Sequence, residues 1–103
     1  MEYLKALRIN PNYPNTHNQL GLALAGKGNL DAAIREYLVA LRINPDDADT
    51  HYNLGIAFQT EGNLDAAIRE YREALQITPN DKGVNDILER ALAPHLMHPS
   101  EIH

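Results

Sequence analysis

The chain has no cysteine and no tryptophan, a single phenylalanine, and one serine three residues from its end. Without cysteine there is no disulfide framework, no thiolate metal site and no thiol nucleophile. Ser100 lies in a short segment with two prolines and no periodicity, beside no base arranged by structure, so it makes no catalytic pair. Positive charge is scarce too. Nine Lys and Arg against fourteen Asp and Glu leave a net charge of −5, and no run of bases forms a stripe. That balance opposes the counterion release that drives nucleic-acid binding. Apolar runs are broken by Arg, Asp or Glu within a few residues, which excludes a membrane span, and the first residues lack a signal-peptide core. The expectation is a cytoplasmic protein or a soluble piece of something larger, helical and ordered, since Ala and Leu abound and the charged fraction is modest.

What the chain does have is a period of 34 residues. Thr16-His17-x-x-Leu20-Gly21 recurs as Thr50-His51-x-x-Leu54-Gly55, and Gly28 to Tyr37 recurs unbroken as Gly62 to Tyr71; residues 14–47 and 48–81 share 20 identities in 34. A partial copy precedes them, because Glu2 to Pro11 matches Glu36 to Pro45 everywhere except Lys5 against Val39. A fixed period of this size implies stacked units, each burying its apolar face on its neighbour.

Within a unit the apolar and small residues follow helical spacing twice, over 15–27 and over 30–43. Gly28 and Gly62 stand where the first helix must stop and can take the left-handed conformation, with Asn29 and Asn63 next as N-caps. Asp31 and Asp65 fall in the first turn of the second helix, spaced to pair with Arg35 and Arg69. Pro11, Pro45 and Pro79 end the second helix of each copy. Small residues lie on both helices, Gly21/Gly55 on the first and Ala33/Ala67 and Ala40/Ala74 on the second, where they permit close approach.

This pattern resembles the tetratricopeptide repeat family, whose Leu-Gly, Ala, aromatic, Ala and Pro signature is matched by Leu20-Gly21, Ala33, Tyr37, Ala40, Pro45 and again by Leu54-Gly55, Ala67, Tyr71, Ala74, Pro79. The family's aromatic near the start of the first helix is replaced by His17 and His51. The resemblance implies an all-α, right-handed α-solenoid of helix-turn-helix units, about six helices in total. Residues 1–13 are then the second helix of a truncated repeat, 14–47 and 48–81 two repeats, 82–93 a C-terminal capping helix and 94–103 a flexible tail. Val84, Ile87, Leu88, Ala91 and Leu92 give the capping helix one apolar stripe, while Glu89 takes the place of Gly21 and Gly55. A missing first helix before residue 1 points to a fragment of a longer array.

Most candidate chemistry dissolves on inspection. Gly21 to Gly28 lacks the Ser or Thr after Lys27 and the preceding strand that a phosphate-binding loop needs, and the sister copy lacks its lysine. His17 and His51 are equivalent positions one repeat apart, too distant to share a metal, and are read as filling the helix interface. His95, His98 and His103 have no carboxylate or thiolate placed to close a site. Asp46-Asp47 reads as turn and N-cap. No cofactor, no metal and no catalytic group is expected.

The resemblance implies instead a concave groove lined by the first helices. Its positions carry over as Asn15, Asn18, Gln19, Leu22 and Ala25 in one unit and Asp49, Tyr52, Asn53, Ile56 and Gln59 in the next, extended by Asp86 and Arg90. Asn, Gln and Tyr can hydrogen-bond an extended backbone, and Leu22 and Ile56 supply apolar contact. The succession of Gln19 and Asn53 resembles the asparagine ladder of the O-linked N-acetylglucosamine transferase array. Relatives that clamp a C-terminal carboxylate use bases that are absent here apart from Arg90, which disfavours chaperone-tail capture. The function expected is a non-catalytic scaffold for a protein or peptide partner. The rival is self-assembly through open repeat ends and the outward-facing Leu4, Leu38 and Val39, giving a homo-oligomer. The chain could equally serve as the targeting array of a larger enzyme.

Overall fold

A computed structural model describes residues 14–96. These form five helices and no strand: α1 (Pro14–Gly26), α2 (Leu30–Ile43), α3 (Ala48–Glu61), α4 (Leu64–Ile77) and α5 (Lys82–Leu96). The helix expected over 1–13, and Leu4 with it, lies outside the described residues, as does the chain from residue 97. The final helix continues through Pro94 to Leu96, three residues past its expected end. Proline already holds the helical φ, and near a C-terminus it costs one backbone bond only.

Each helix end follows from local chemistry. Gly28 and Gly62 adopt φ of 82° and 92°. Their left-handed turns let Asn29 N–H reach the Leu24 carbonyl and Asn63 N–H the Phe58 carbonyl, both at 2.9 Å, so two otherwise orphaned carbonyls are satisfied. Asn63 caps α4 by accepting from Ala66 N–H at 3.2 Å, whereas Asn29 makes no such side-chain bond. Asp47 caps α3, accepting from both the backbone and the hydroxyl of Thr50, which is fully buried. Asp81 does the same for α5 by accepting from Val84 N–H at 3.2 Å. The pairs expected between Asp31 and Arg35 and between Asp65 and Arg69 do not close to ion-pair distance; the close carboxylate contacts belong to histidines. Exposed pairs on long side chains gain too little to hold one geometry. Asp31 instead meets the fully exposed Glu61 of the next unit, whose carboxyl is raised by that hydrogen bond.

Packing within a unit centres on a glycine and a tyrosine. Tyr37 and Tyr71 are 1% and 0% exposed. A methyl group placed on Gly21 would lie 2.4 Å from Tyr37 Cε1, and one on Gly55 2.5 Å from Tyr71 Cε1. The glycines expected to let two backbones approach therefore make room for a ring. Around these rings Ala33, Leu54 and Ala57 form one cluster and Ala67, Ile68, Ala74, Val84 and Ala91 another, with Phe58 packed against both. That sharing welds the units into one continuous core, as stacking requires.

His17 and His51 sit in the interface between the two helices of their unit, as expected, and each has a partner the sequence reading did not name. Nδ1 of His17 meets Oε1 of Glu36 at 2.8 Å, and Nδ1 of His51 meets Oε1 of Glu70 at 2.8 Å. His51 Nε2 also lies 2.8 Å from the Pro45 carbonyl. Both partners of His51 are acceptors, and only a doubly protonated imidazole can donate to both. Burial opposes that charge, but the bonds to Glu70 and Pro45, aided by the fields of Glu70 and Glu73, outweigh it and raise the pKa above its ordinary 6.5.

Two outcomes follow for stability. Gly55→Ala should lower stability by about 1–3 kcal/mol through overpacking against Tyr71, whereas Gly26→Ala, which meets nothing within 4 Å, should stay within about 0.5 kcal/mol of the parent in urea unfolding. For His51, a pKa raised by folding means stabilisation that is complete below pH 6.5 and is lost as the pH rises through the folded value. The urea midpoint should accordingly decline on the alkaline side of pH 6.5, and Glu70→Gln should flatten that decline.

Candidate functional site

The helices stack so that α1 contacts α3 more than α2 contacts α4. α1 and α3 touch across the two units, and the face they share carries Leu22, Ala25, Asn53, Ile56 and Thr60 around one cavity. Asn15 and Asp49 are exposed near the start of these helices, Gln19 and Asn53 are half-buried, and Leu22 and Ile56 stand 41% and 36% exposed. Two aliphatic side chains are thus exposed at equivalent positions of adjacent units, on helices that also carry the amides of Asn18, Gln19, Asn53 and Gln59. Neither α1 nor α3 carries a lysine or arginine. On α5, Asp86 is half-buried and Arg90 exposed.

Four of the expected groove residues make contacts within the protein itself. Asn18 is 5% exposed, and its Oδ1 accepts from Asn53 Nδ2 at 3.1 Å. The rung that joins adjacent first helices is therefore Asn18–Asn53, with Gln19 standing beside it. Tyr52 leans its ring toward Tyr71, with centroids 6.1 Å apart at 44°. Gln59 accepts from the Tyr71 hydroxyl at 2.7 Å. Burial, followed by the neighbouring Tyr52, pushes the Tyr71 phenol up to about 12, so it remains a donor at any physiological pH.

The first unit differs at the equivalent place. Ala25 stands where the second has Gln59, and a cavity of about 320 Å³ opens there. Leu22, Leu30 and Ile56 supply apolar walls, Asn53 and Thr60 polar ones, and Tyr37 lines it from α2. The Tyr37 hydroxyl has no hydrogen-bond partner among the described residues; because none of their side-chain polar atoms is both buried and unpartnered, it is in reach of solvent. Its pKa is raised by burial. Nothing in the one-letter sequence marks this cavity except the change from Gln to Ala between two otherwise similar repeats.

On α2, Leu38 is 45% exposed and Val39 half-buried. With Arg35 and Arg42 they line a shallow depression of about 480 Å³. No helix of the described residues is long and apolar enough to cross a membrane.

Sequence profiles described as TPR repeat match residues 2–28 and 23–62, and one described as Tetratricopeptide repeat matches residues 48–81. No curated protein matches the chain. Among solved structures, the first TPR of Spaghetti (RPAP3), bound to the HSP90 peptide SRMEEVD, superposes with a TM-score of 0.86 at 18% identity, covering 92% of this chain and 75% of that one. The crystal structure of MamA protein superposes at 0.84 with 22% identity, covering 97% of this chain and 55% of that one. At these identities the likeness concerns the fold.

The unequal tyrosines yield a direct comparison. Tyr71→Phe deletes a made hydrogen bond and strands the Gln59 acceptor, which should cost about 1 kcal/mol in urea unfolding. Tyr37→Phe deletes none and should leave the midpoint nearly unchanged.

Proposed function

The chain belongs to the tetratricopeptide repeat family, and from that footing we propose that it is a non-catalytic scaffold that holds an extended segment of a partner protein in the groove between α1 and α3. Repeats of this family generally serve as interaction scaffolds rather than catalysts. One observation carries the reading here: Leu22 and Ile56, exposed at equivalent positions, lie along a line of amide side chains tied together at Asn18–Asn53. Aliphatic contact supplies affinity, and the amides can pair with a bound backbone at either its N–H or its C=O groups.

The chemistry of the groove also narrows the partner. The peptide held by the Spaghetti domain, SRMEEVD, carries three acidic side chains. With no lysine or arginine on α1 or α3, this groove would strip water from such carboxylates without pairing them. A neutral or basic segment suits it better than an acidic chaperone tail.

A second reading draws on the convex depression at Leu38 and Val39, flanked by Arg35 and Arg42. It would serve self-association, with the carboxylate-rich surface of another copy meeting the two arginines. The choice between the readings is experimental. For a peptide selected from a random display library, Asn53→Ala should weaken binding by about 1.4 kcal/mol, or tenfold, with helicity retained by circular dichroism. Affinity unaltered by that change and by Tyr52→Ala would remove the groove from the account. A mass that rises with concentration in light scattering and falls on Leu38→Glu would move the function to the convex face.

A further inference from the structure

The two units differ at one position that faces the groove, and the difference has a definite chemical sense. In the second unit the Tyr71 hydroxyl is capped from within, donating to the side-chain carbonyl of Gln59 at 2.7 Å. In the first unit the same phenol, Tyr37, is 1% exposed and lines a cavity of about 320 Å³ that the equivalent side chain, Ala25, is too short to fill. Its hydroxyl has no hydrogen-bond partner among the described residues, and since no side-chain polar atom there is both buried and unpartnered, it reaches solvent. A hydroxyl that meets only solvent at the mouth of an otherwise apolar cavity is open to a bound group that completes its hydrogen bond.

The cavity also holds an acceptor. Asn53 uses one Nδ2–H on Asn18, and its own Oδ1 has no partner among the described residues. The site thus presents one hydroxyl donor and one amide acceptor within apolar walls formed by Leu22, Leu30 and Ile56. A carboxylate could accept from Tyr37 but would leave the Asn53 carbonyl unmet, and no lysine or arginine lines the cavity to balance its charge. A purely aliphatic group would fill the space and leave both polar groups unmet. A primary carboxamide on a short aliphatic stem answers all three demands.

We propose that this cavity is a specificity pocket that accepts one glutamine side chain of the bound segment, which takes the place in the first unit that Gln59 holds in the second. The proposal rests on the groove reading above and adds to it the identity of an anchor residue. It makes the repeat its own template: the contact built into one unit is supplied by the partner in the other.

The test uses the full chain and small probes, N-acetylglutamine methylamide against the norleucine and glutamate analogues, followed through the methyl resonances of Leu22 and Ile56. The glutamine probe should give saturable shifts and bind about fivefold tighter than the norleucine probe, the ratio expected for one net hydrogen bond. Tyr37→Phe keeps the ring over Gly21 and should erase that preference. Ala25→Gln rebuilds the internal contact and should abolish the shifts for every probe while raising the thermal midpoint. Absent shifts, equal affinity for the glutamine and norleucine probes, preference for glutamate, or shifts that persist in Ala25→Gln would overturn the pocket. Such a failure is separable from failure of the groove itself, because a library-selected peptide that still depends on Asn53 would show the groove working without the pocket.

Discussion

The rings of Tyr37 and Tyr71 lie over Gly21 and Gly55 so closely that a single added carbon would collide with them, and most of the remaining architecture depends on that contact. An aromatic side chain entering against bare backbone fixes how near the two helices of a unit come and at which turn they meet. Burying each ring contributes on the order of 2–3 kcal/mol. Close packing of this kind leaves no continuous range of alternatives, since overlap is penalised as steeply as a void. With the helices locked there, His17 and His51 are brought to Glu36 and Glu70, and Leu54 and Ala57 are brought onto Ala33 and Tyr37 of the preceding unit.

The same contact governs the surface. A tyrosine long enough to cross from the second helix to the first carries its hydroxyl toward the groove side, where something must meet it. In the second unit that is Gln59, which draws a would-be contact residue into the scaffold; in the first it is open space lined by Leu22 and Ile56. Two units of nearly identical design therefore present unlike surfaces. Their difference arises at positions that leave the core unchanged, which is how repeat arrays gain specificity without altering their stack.

Much of this could be read from the chain. The 34-residue period, the glycines ending the first helices, the prolines after the second and the alanines between them specify helix pairs because each local signal agrees with the others. The legible part stops where side chains from different elements meet. Glu36 and Glu70 lie 19 residues from the histidines they meet, and a pairing at that separation leaves no local trace in the sequence. The ladder was read between equivalent positions, Gln19 and Asn53. The rung in the structure joins Asn18 to Asn53, 35 residues apart, one more than the sequence period. Tyr52 and Gln59, placed in the groove by their position, turn partly inward to Tyr71 of their own unit.

The central claim is that partners bind on the face made by α1 and α3. Its most direct test is to map the contact surface of a library-selected peptide by methyl and amide chemical-shift changes across the whole chain. The account predicts the largest changes at Leu22, Asn53 and Ile56, with little at Leu38 and Val39. Changes centred on Leu38 and Val39, with Leu22 and Ile56 silent, would contradict it.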